Sequence, residues 1–326
     1  MPRSLRFEYP GAVYHVLNRG NYRSYIFEEE GARRSFRKCL FEACESAGWI
    51  LHAFCIMGNH YHLALETPEP NLSAGMKWLQ GVFATRFNRF RKERGALFQG
   101  RFKSILLEEN HLSGLCAYIH LNPVRAGLCD VRGLKDYPFS SYWYLRRPRS
   151  RPAFLDVSMA LDGAGGLTDT VYGRSKYEEY LDWLSSDEGA RKDLKFDLMS
   201  RGWALGTKEF KRTVVEAEKR RKADIFLGEK DYAEVRELLW EEQLEECLRI
   251  LGKGAAEVES DLKSADWKVA IAGLLKKRLL CANGWISARL NMGAASAVSR
   301  NVAGMFSGER GSAKRHYKKL STKINS

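Results

Sequence analysis

The sequence predicts an α+β protein: a ferredoxin-like antiparallel sheet domain followed by an all-α C-terminal region with a helix-turn-helix. Three observations carry this. The runs AVYHVLNR and HYHLALE alternate apolar and polar residues, as half-buried strands do. Helical spacing separates the strand-like runs in the order β-α-β-β-α-β-α, which is that of a ferredoxin-like sandwich. Beyond about residue 176 alternation disappears and helical periodicity takes over.

Ala12–Arg19 reads as the first strand. Gly31–Ala47 has helical spacing, with Phe36, Leu40 and Cys44 on one stripe and basic residues opposite. Trp49–Met57 reads as a second strand, and Gly58-Asn59 signals a tight turn into the run from His60, so these two strands should pair antiparallel. Asn71–Lys92 is expected to be a long basic helix with Asn71 as its N-cap. Ala96–Glu108 suggests another strand or hairpin, and Leu112–Asn122 a helix stopped by Pro123. The helices should cover one face of the sheet and leave the other open.

Composition narrows the function classes. The chain has 326 residues, 44% of them hydrophobic and 12% aromatic, which suffices for two or three packed domains. The net charge of +13 favours a polyanionic partner, nucleic acid before membrane. Seven cysteines are scattered without a C-x-x-C pair and read as buried free thiols of a reducing compartment. No apolar stretch is long enough for a signal peptide core or a membrane span, so a cytoplasmic protein without membrane association is expected.

His60 and His62 are the most informative residues. Separated by one position in a strand, they share a face, while Tyr61, Leu63 and Leu65 point into a core on the other. Such a pair can bind one divalent metal, although most His-x-His runs are incidental. On the downstream helix, Leu112, Leu115, Cys116 and Ile119 form the buried stripe, and Tyr118 and Asn122 lie one turn apart on a neighbouring face. If that face meets the sheet, two imidazoles and one amide oxygen converge, a set that suits Mg2+ or Mn2+ better than a closed zinc site. The phenol of Tyr118 is then the natural nucleophile towards a phosphodiester. From spacing alone, a tyrosine packed at a helix–sheet seam is the commoner outcome, and Asn122 reads equally as a helix-terminal amide before Pro123. His15 reads as a hydrogen-bonded structural histidine more than as part of a site, and His120 should point to a different side of the helix from Tyr118.

The motif MGNHYHL, followed by the helix ending CAYIHLNPVRAGL, resembles the HUH single-tyrosine transposases, in particular the REP-associated, IS200-like branch. The likeness covers about the first 145 residues, with VYHVLNRGNYR and LFQGRFKS in the right order; Gly58 stands where many relatives have proline. The resemblance implies a ferredoxin-like catalytic domain that cuts single-stranded DNA carrying a palindromic hairpin. It implies His60, His62 and Asn122 as metal ligands and Tyr118 as the nucleophile that forms a covalent 5′-phosphotyrosine. Family members exist as monomers and as swapped homodimers.

Arg19, Arg23, Arg101, Lys103 and Arg125 flank the motifs and are the candidate phosphate contacts. Tyr22, Phe98 and Phe102 are candidates to stack on unpaired bases, with at least one of them expected in the core.

Four segments are expected: the HUH nuclease domain at 1–148, a connector and helical extension at 149–262, a helix-turn-helix-like domain at 263–308, and a basic, partly disordered tail at 309–326. RRPRSRP is the expected surface connector. Lys268–Leu279 reads as an amphipathic helix broken by Asn283-Gly284. The run ISARLNMGAASAVSRNV has helix-turn-helix spacing, with Ala288 buried, Gly293 at the turn, and Ser296, Ser299 and Arg300 placed to meet duplex DNA. It resembles the helix-turn-helix of the bacterial replication initiator, appended to some longer members of the branch; an ordinary helical hairpin is the bland alternative. The rival function is a non-catalytic, sequence-specific DNA-binding regulator derived from a transposase. An RNA-binding module ranks last, because no ribonucleoprotein signature occurs.

Overall fold

The computed structural model describes residues 6–221, 229–279 and 281–325. They divide into two compact units, 1–227 and 228–326. In the first, β1 (Ala12–Arg19), α1 (Glu30–Ala47), β2 (Ile50–Ile56), β3 (His60–Thr67), α2 (Leu72–Arg91) and β4 (Lys103–Leu107) follow the expected order. The sheet order is β2-β3-β1-β4-β5, where β5 (Ala204–Leu205) pairs parallel to β4 and the other neighbours are antiparallel. The first four strands therefore have the ferredoxin-like arrangement.

Register sorts the side chains into two faces. Leu17 lies opposite His62, Arg19 opposite His60, and His15 opposite Ala64 on β3 and Ile105 on β4. Tyr14, Val16, Tyr61, Leu63, Leu65 and Phe54 occupy the other face, where they meet α1 and α2. Phe27, Phe36, Tyr61 and Phe83 pack there with ring centroids 4.6–6.4 Å apart, and Gln80 Nε2 donates to the Tyr61 hydroxyl at 2.8 Å.

The face expected to be open is covered. α3 (Leu112–His120) lies across it, joined by α4 (Asn122–Arg125), α5 (Ser141–Leu145), α6 (Ser158–Asp162), α7 (Val171–Ser186) and α8 (Glu188–Asp193). Their apolar residues form one core with Val13, Cys55, Ala64 and Ile105. Leaving that face bare would expose a large apolar surface, so the chain supplies a second layer. RRPRSRP is pinned rather than loose: Arg151 pairs with Asp169 at 2.7 Å, and Leu51 N–H donates to the Phe154 carbonyl at 2.8 Å. His120 is buried there, bridging the Tyr177 hydroxyl at 2.8 Å and the Ser141 hydroxyl at 2.7 Å.

Several local expectations change. Asn71 sits at the N-cap position of α2, but its side chain accepts from Trp49 Nε1 and donates to the Ala47 carbonyl, while the Glu8 carboxylate takes the Ser73 amide. Of the run 96–108 only 103–107 is strand; Gly95 and Gly100 adopt positive φ and the segment between them folds as a loop. Pro123 ends α3 but lies in the first turn of α4, where its missing N–H costs nothing. Phe98 and Phe102 are buried, whereas Tyr22 is 92% exposed.

The second unit is wholly helical: α10 (Glu229–Leu251), α11 (Ala255–Ser260), α12 (Asp266–Leu279), α13 (Asn283–Arg289), α14 (Ala295–Ser307) and α15 (Gly311–Asn325), with α9 (Lys208–Arg221) ending the first unit. α12 is not amphipathic. Trp267 to Leu275 are buried without a break, and the buried Lys268 donates to the Val258 and Asp261 carbonyls at 2.7 and 2.9 Å. A helix apolar all round is a central one, and the others pack about it. Asn283-Gly284 opens α13 rather than breaking α12, and the expected disordered tail is α15, with Ala313 and Leu320 buried. Between α13 and α14, Gly293 turns the chain at φ +80°; Ile286, Leu290 and Val298 are buried, but Ala288 is exposed and Ser287 is inside, donating to the Gly293 carbonyl. All seven cysteines are free, six of them buried. Among the described residues no helix is long and apolar enough to cross a membrane.

A Cβ added to Gly75 on α2 would overlap the buried Trp49 indole. Gly75→Ala is expected to destabilise the sheet domain by about 1–3 kcal/mol, the usual range for overpacking. Urea denaturation followed by tryptophan fluorescence measures it.

Candidate nucleic-acid cleavage site

The register of β1 and β3 sets His15, His60 and His62 on the face that α3 covers. His60 is half-buried and His62 nearly fully buried. Their rings stand perpendicular, centroids 5.0 Å apart. α3 brings Tyr118 edge-on to both His62 and His15, each at 5.8 Å between centroids. Phe196 meets the tyrosine from the extension at 5.3 Å, and the Arg125 guanidinium lies over its ring at 4.6 Å. Asn122 follows one turn later, with its Nδ2 turned back to the Tyr118 carbonyl at 3.1 Å.

These residues open on one cleft of about 550 Å³, lined by His60, His62, Tyr118, Asn122, Arg19, Arg101, Lys103, Arg125, Gln99 and Ser200. Tyr118 is only 6% exposed, so what it offers to solvent is offered to this cleft. Four of the five expected phosphate contacts line it. The fifth, Arg23, lies instead in an exposed turn in which Tyr22 and Arg23 both adopt positive φ. Lys103 is held by the Ser200 carbonyl at 2.9 Å. In the helical unit Ser296 and Arg300 are exposed, whereas Ser299 is half-buried and accepts from Lys276 Nζ at 3.1 Å and Asn283 Nδ2 at 2.8 Å.

The imidazoles are held neutral. Burial pushes His60 down to about 4, assisted by the nearby Arg19 charge. Burial also lowers His62 well below its ordinary value, with His15, His60, Arg125 and Arg19 adding to the shift. Their Nδ1 atoms are engaged, His60 by the Asn59 side-chain oxygen at 2.6 Å and His62 by His15 Nε2 at 2.8 Å. Neutral rings tied at Nδ1 have Nε2 left for a ligand. Among the described residues the Asn122 oxygen takes no hydrogen bond. Two imidazole nitrogens and an amide oxygen beside an open, cationic cleft fit a divalent ion that keeps water or phosphate oxygens in its remaining positions. No cluster of three or more His, Cys, Asp or Glu side chains with metal-holding geometry occurs among the described residues, so a third protein donor would come from outside these residue types, and the Asn122 amide oxygen lines the cleft.

Sequence reasoning missed what the extension contributes. Phe196 and the Met199–Ser200 backbone come from the extension, over seventy residues beyond the tyrosine helix, and no spacing rule links them to it. His15 is the hydrogen-bonded, buried histidine that the sequence favours, and its partner His62 appears only in the paired strands.

Residues 9–122 match the family model described as transposase, IS200-like. A protein described as a REP-associated tyrosine transposase of Haemophilus influenzae is 28% identical over 119 residues, which span 33% of this chain and 66% of that relative, just under two thirds of its length. A solved structure of a REP-associated tyrosine transposase bound to a REP hairpin aligns with 48% of this chain and 93% of its own, at 18% identity and a TM-score of 0.38. The sheet domain of this chain is thus similar to the IS200-like transposases, a REP-associated tyrosine transposase among them.

Proposed function

We propose that the protein is a metal-dependent single-stranded DNA endonuclease and strand-transferase acting through a covalent 5′-phosphotyrosine. The observation that carries this is the meeting of Tyr118, His60, His62 and Asn122 in one basic cleft of a domain that matches the IS200-like transposase model. His60, His62 and Asn122 would hold Mg2+ or Mn2+, which when bound supplies Lewis-acid polarisation of a phosphate oxygen.

The chain's own residues do the rest. Arg19, Arg101 and Arg125 draw the phosphate backbone into the cleft. Tyr118 is aligned by its packing against His15, His62 and Phe196. Its phenol gives up its proton as the oxygen bonds to phosphorus, and the bond from phosphorus to the 3′ oxygen breaks, leaving a protonated 3′-OH. The 5′-phosphotyrosine keeps the energy of the ester, so attack by a 3′-OH restores the phenol and a DNA strand. One chain carries the whole set, which supports a tyrosine serving its own subunit. The hairpin substrate follows from the likeness to REP-associated relatives. Exposed Ser296 and Arg300 on α14 support a second, duplex-binding role for the helical unit through a helix-turn-helix.

Tyr118→Phe should abolish the covalent adduct and leave DNA affinity and the unfolding midpoint nearly unchanged; a denaturing gel with end-labelled hairpin DNA and Mg2+ reads the adduct. An adduct that persists in this variant removes Tyr118 from the mechanism, and its absence from the unaltered protein with every hairpin offered favours the DNA-binding regulator instead. His60→Ala should slow cleavage at least a thousandfold, which corresponds to about 4 kcal/mol of transition-state stabilisation. Arg101→Ala should flatten the slope of log affinity against log salt by about 0.7 for single-stranded DNA, one phosphate contact's worth. Fluorescence anisotropy across a salt series measures that.

A further inference from the structure

His15 ties the metal-facing strand to a backbone carbonyl of the extension. Its Nδ1 lies 2.6 Å from the Met199 carbonyl oxygen, and its Nε2 lies 2.8 Å from His62 Nδ1. The three groups are buried in series, with the two rings stacked at 5.0 Å. A carbonyl can only accept, so His15 must carry its proton on Nδ1. A neutral ring with Nδ1–H has a lone pair on Nε2, so His62 must be the donor at the second bond. That places the His62 proton on Nδ1 and its lone pair on Nε2, the other side of the ring. A doubly protonated His15 would reverse the second bond, but it would put a charge on a fully buried ring.

We propose that Met199, His15 and His62 form a tautomer relay, in which the extension's carbonyl fixes the ring proton of His15 and thereby presents His62 to the cleft with Nε2 free to bind a divalent ion. His15 is a positioning residue. The carbonyl belongs to the segment that also brings Phe196 against Tyr118 and Ser200 to Lys103. The extension is in this sense part of the site and not an appendage to it. The relay's consequence for metal rests on the function proposed above; the tautomers themselves do not.

Two measurements separate these levels. The first is long-range 1H–15N correlation NMR on full-length, metal-free protein with 15N-labelled histidine, assigned with His15→Gln and His60→Ala. It should show both His15 and His62 as Nδ1–H tautomers, the form that free imidazole side chains disfavour. An Nε2–H signal on either ring overturns the relay whatever the protein does with DNA. The second is Mn2+ titration followed by electron paramagnetic resonance. His15→Phe removes the acceptor and should weaken Mn2+ binding 10–100-fold, the range expected for losing an outer-shell partner. His15→Gln, whose amide oxygen can reach the place of Nε2, should recover most of it. Equal losses in the two variants at unchanged unfolding midpoints overturn the relay as the determinant of affinity. The expected tautomers in a protein that binds no Mn2+ would support the relay and overturn the metal-dependent function.

Discussion

The antiparallel pairing of β1 with β3 is the constraint on which the site depends. Its register puts Leu17 opposite His62 and Arg19 opposite His60, so every second residue of both strands faces α3. A one-residue slip would send His60 and His62 into the aromatic cluster under α1 and α2 and bring Tyr61 and Leu63 out. That cluster is what prevents the slip. Tyr61, Phe27, Phe36 and Phe83 are all buried, and the alternative register would bury imidazoles where no partner waits. The core on one face thus holds the chemistry on the other.

The second layer then sets the electrostatics. A sheet with one face in water would have left the histidines solvated and titrating near their ordinary values. Covered by α3 and by the extension, His15 and His60 are pushed down to about 4, mainly by burial. The cations Arg19, Arg101 and Arg125 stand at the rim, where they remain hydrated and can still attract a polyanion. A buried floor of neutral nitrogens under a charged rim is the division that the proposed uptake of an ion and a phosphate backbone would need.

The pairing of β2 with β3, the inward set of Tyr61, Leu63 and Leu65, and the shared face of His60 and His62 were legible because period-2 alternation is a local property, whereas the parallel β5 was not. The meeting of Tyr118 with His62 was a conditional reading, since helix spacing says which residues share a face but not what that face meets. The covering of the sheet was not legible. Part of that cover comes from α6 and α7: the charge-rich pattern of α7 reads as a solvated helix, yet its Tyr177, Leu181 and Leu184 reach the core together with Ala160 and Leu161 of α6. α12 misled for a related reason. Lys268 looks like a polar face on a helical wheel, yet its ammonium is satisfied by two carbonyls and lies inside. The glycines at 95 and 100 turned an alternating run into a loop at a range that strand propensity does not weigh.

The slight exposure of Tyr118 is consistent with a reacting group. A phenol on a mobile surface side chain would have to be ordered each time a phosphate arrived, at the cost of its rotamer entropy. Here the ring is fixed in advance by His15 and His62 at its edges, by Phe196 beyond, and by Arg125 across one face. Removing any one of these walls would leave the residue in place but loosen its aim, and positioning errors of an ångström are costly in phosphoryl transfer. Two of the four walls, His15 and Phe196, depend on the extension for their placement, one through the Met199 carbonyl and one directly. A sheet domain that stopped at the end of its sequence motif would keep every residue of that motif, with His62 and Arg125 still against its tyrosine, but would lose Phe196 and the carbonyl that holds His15.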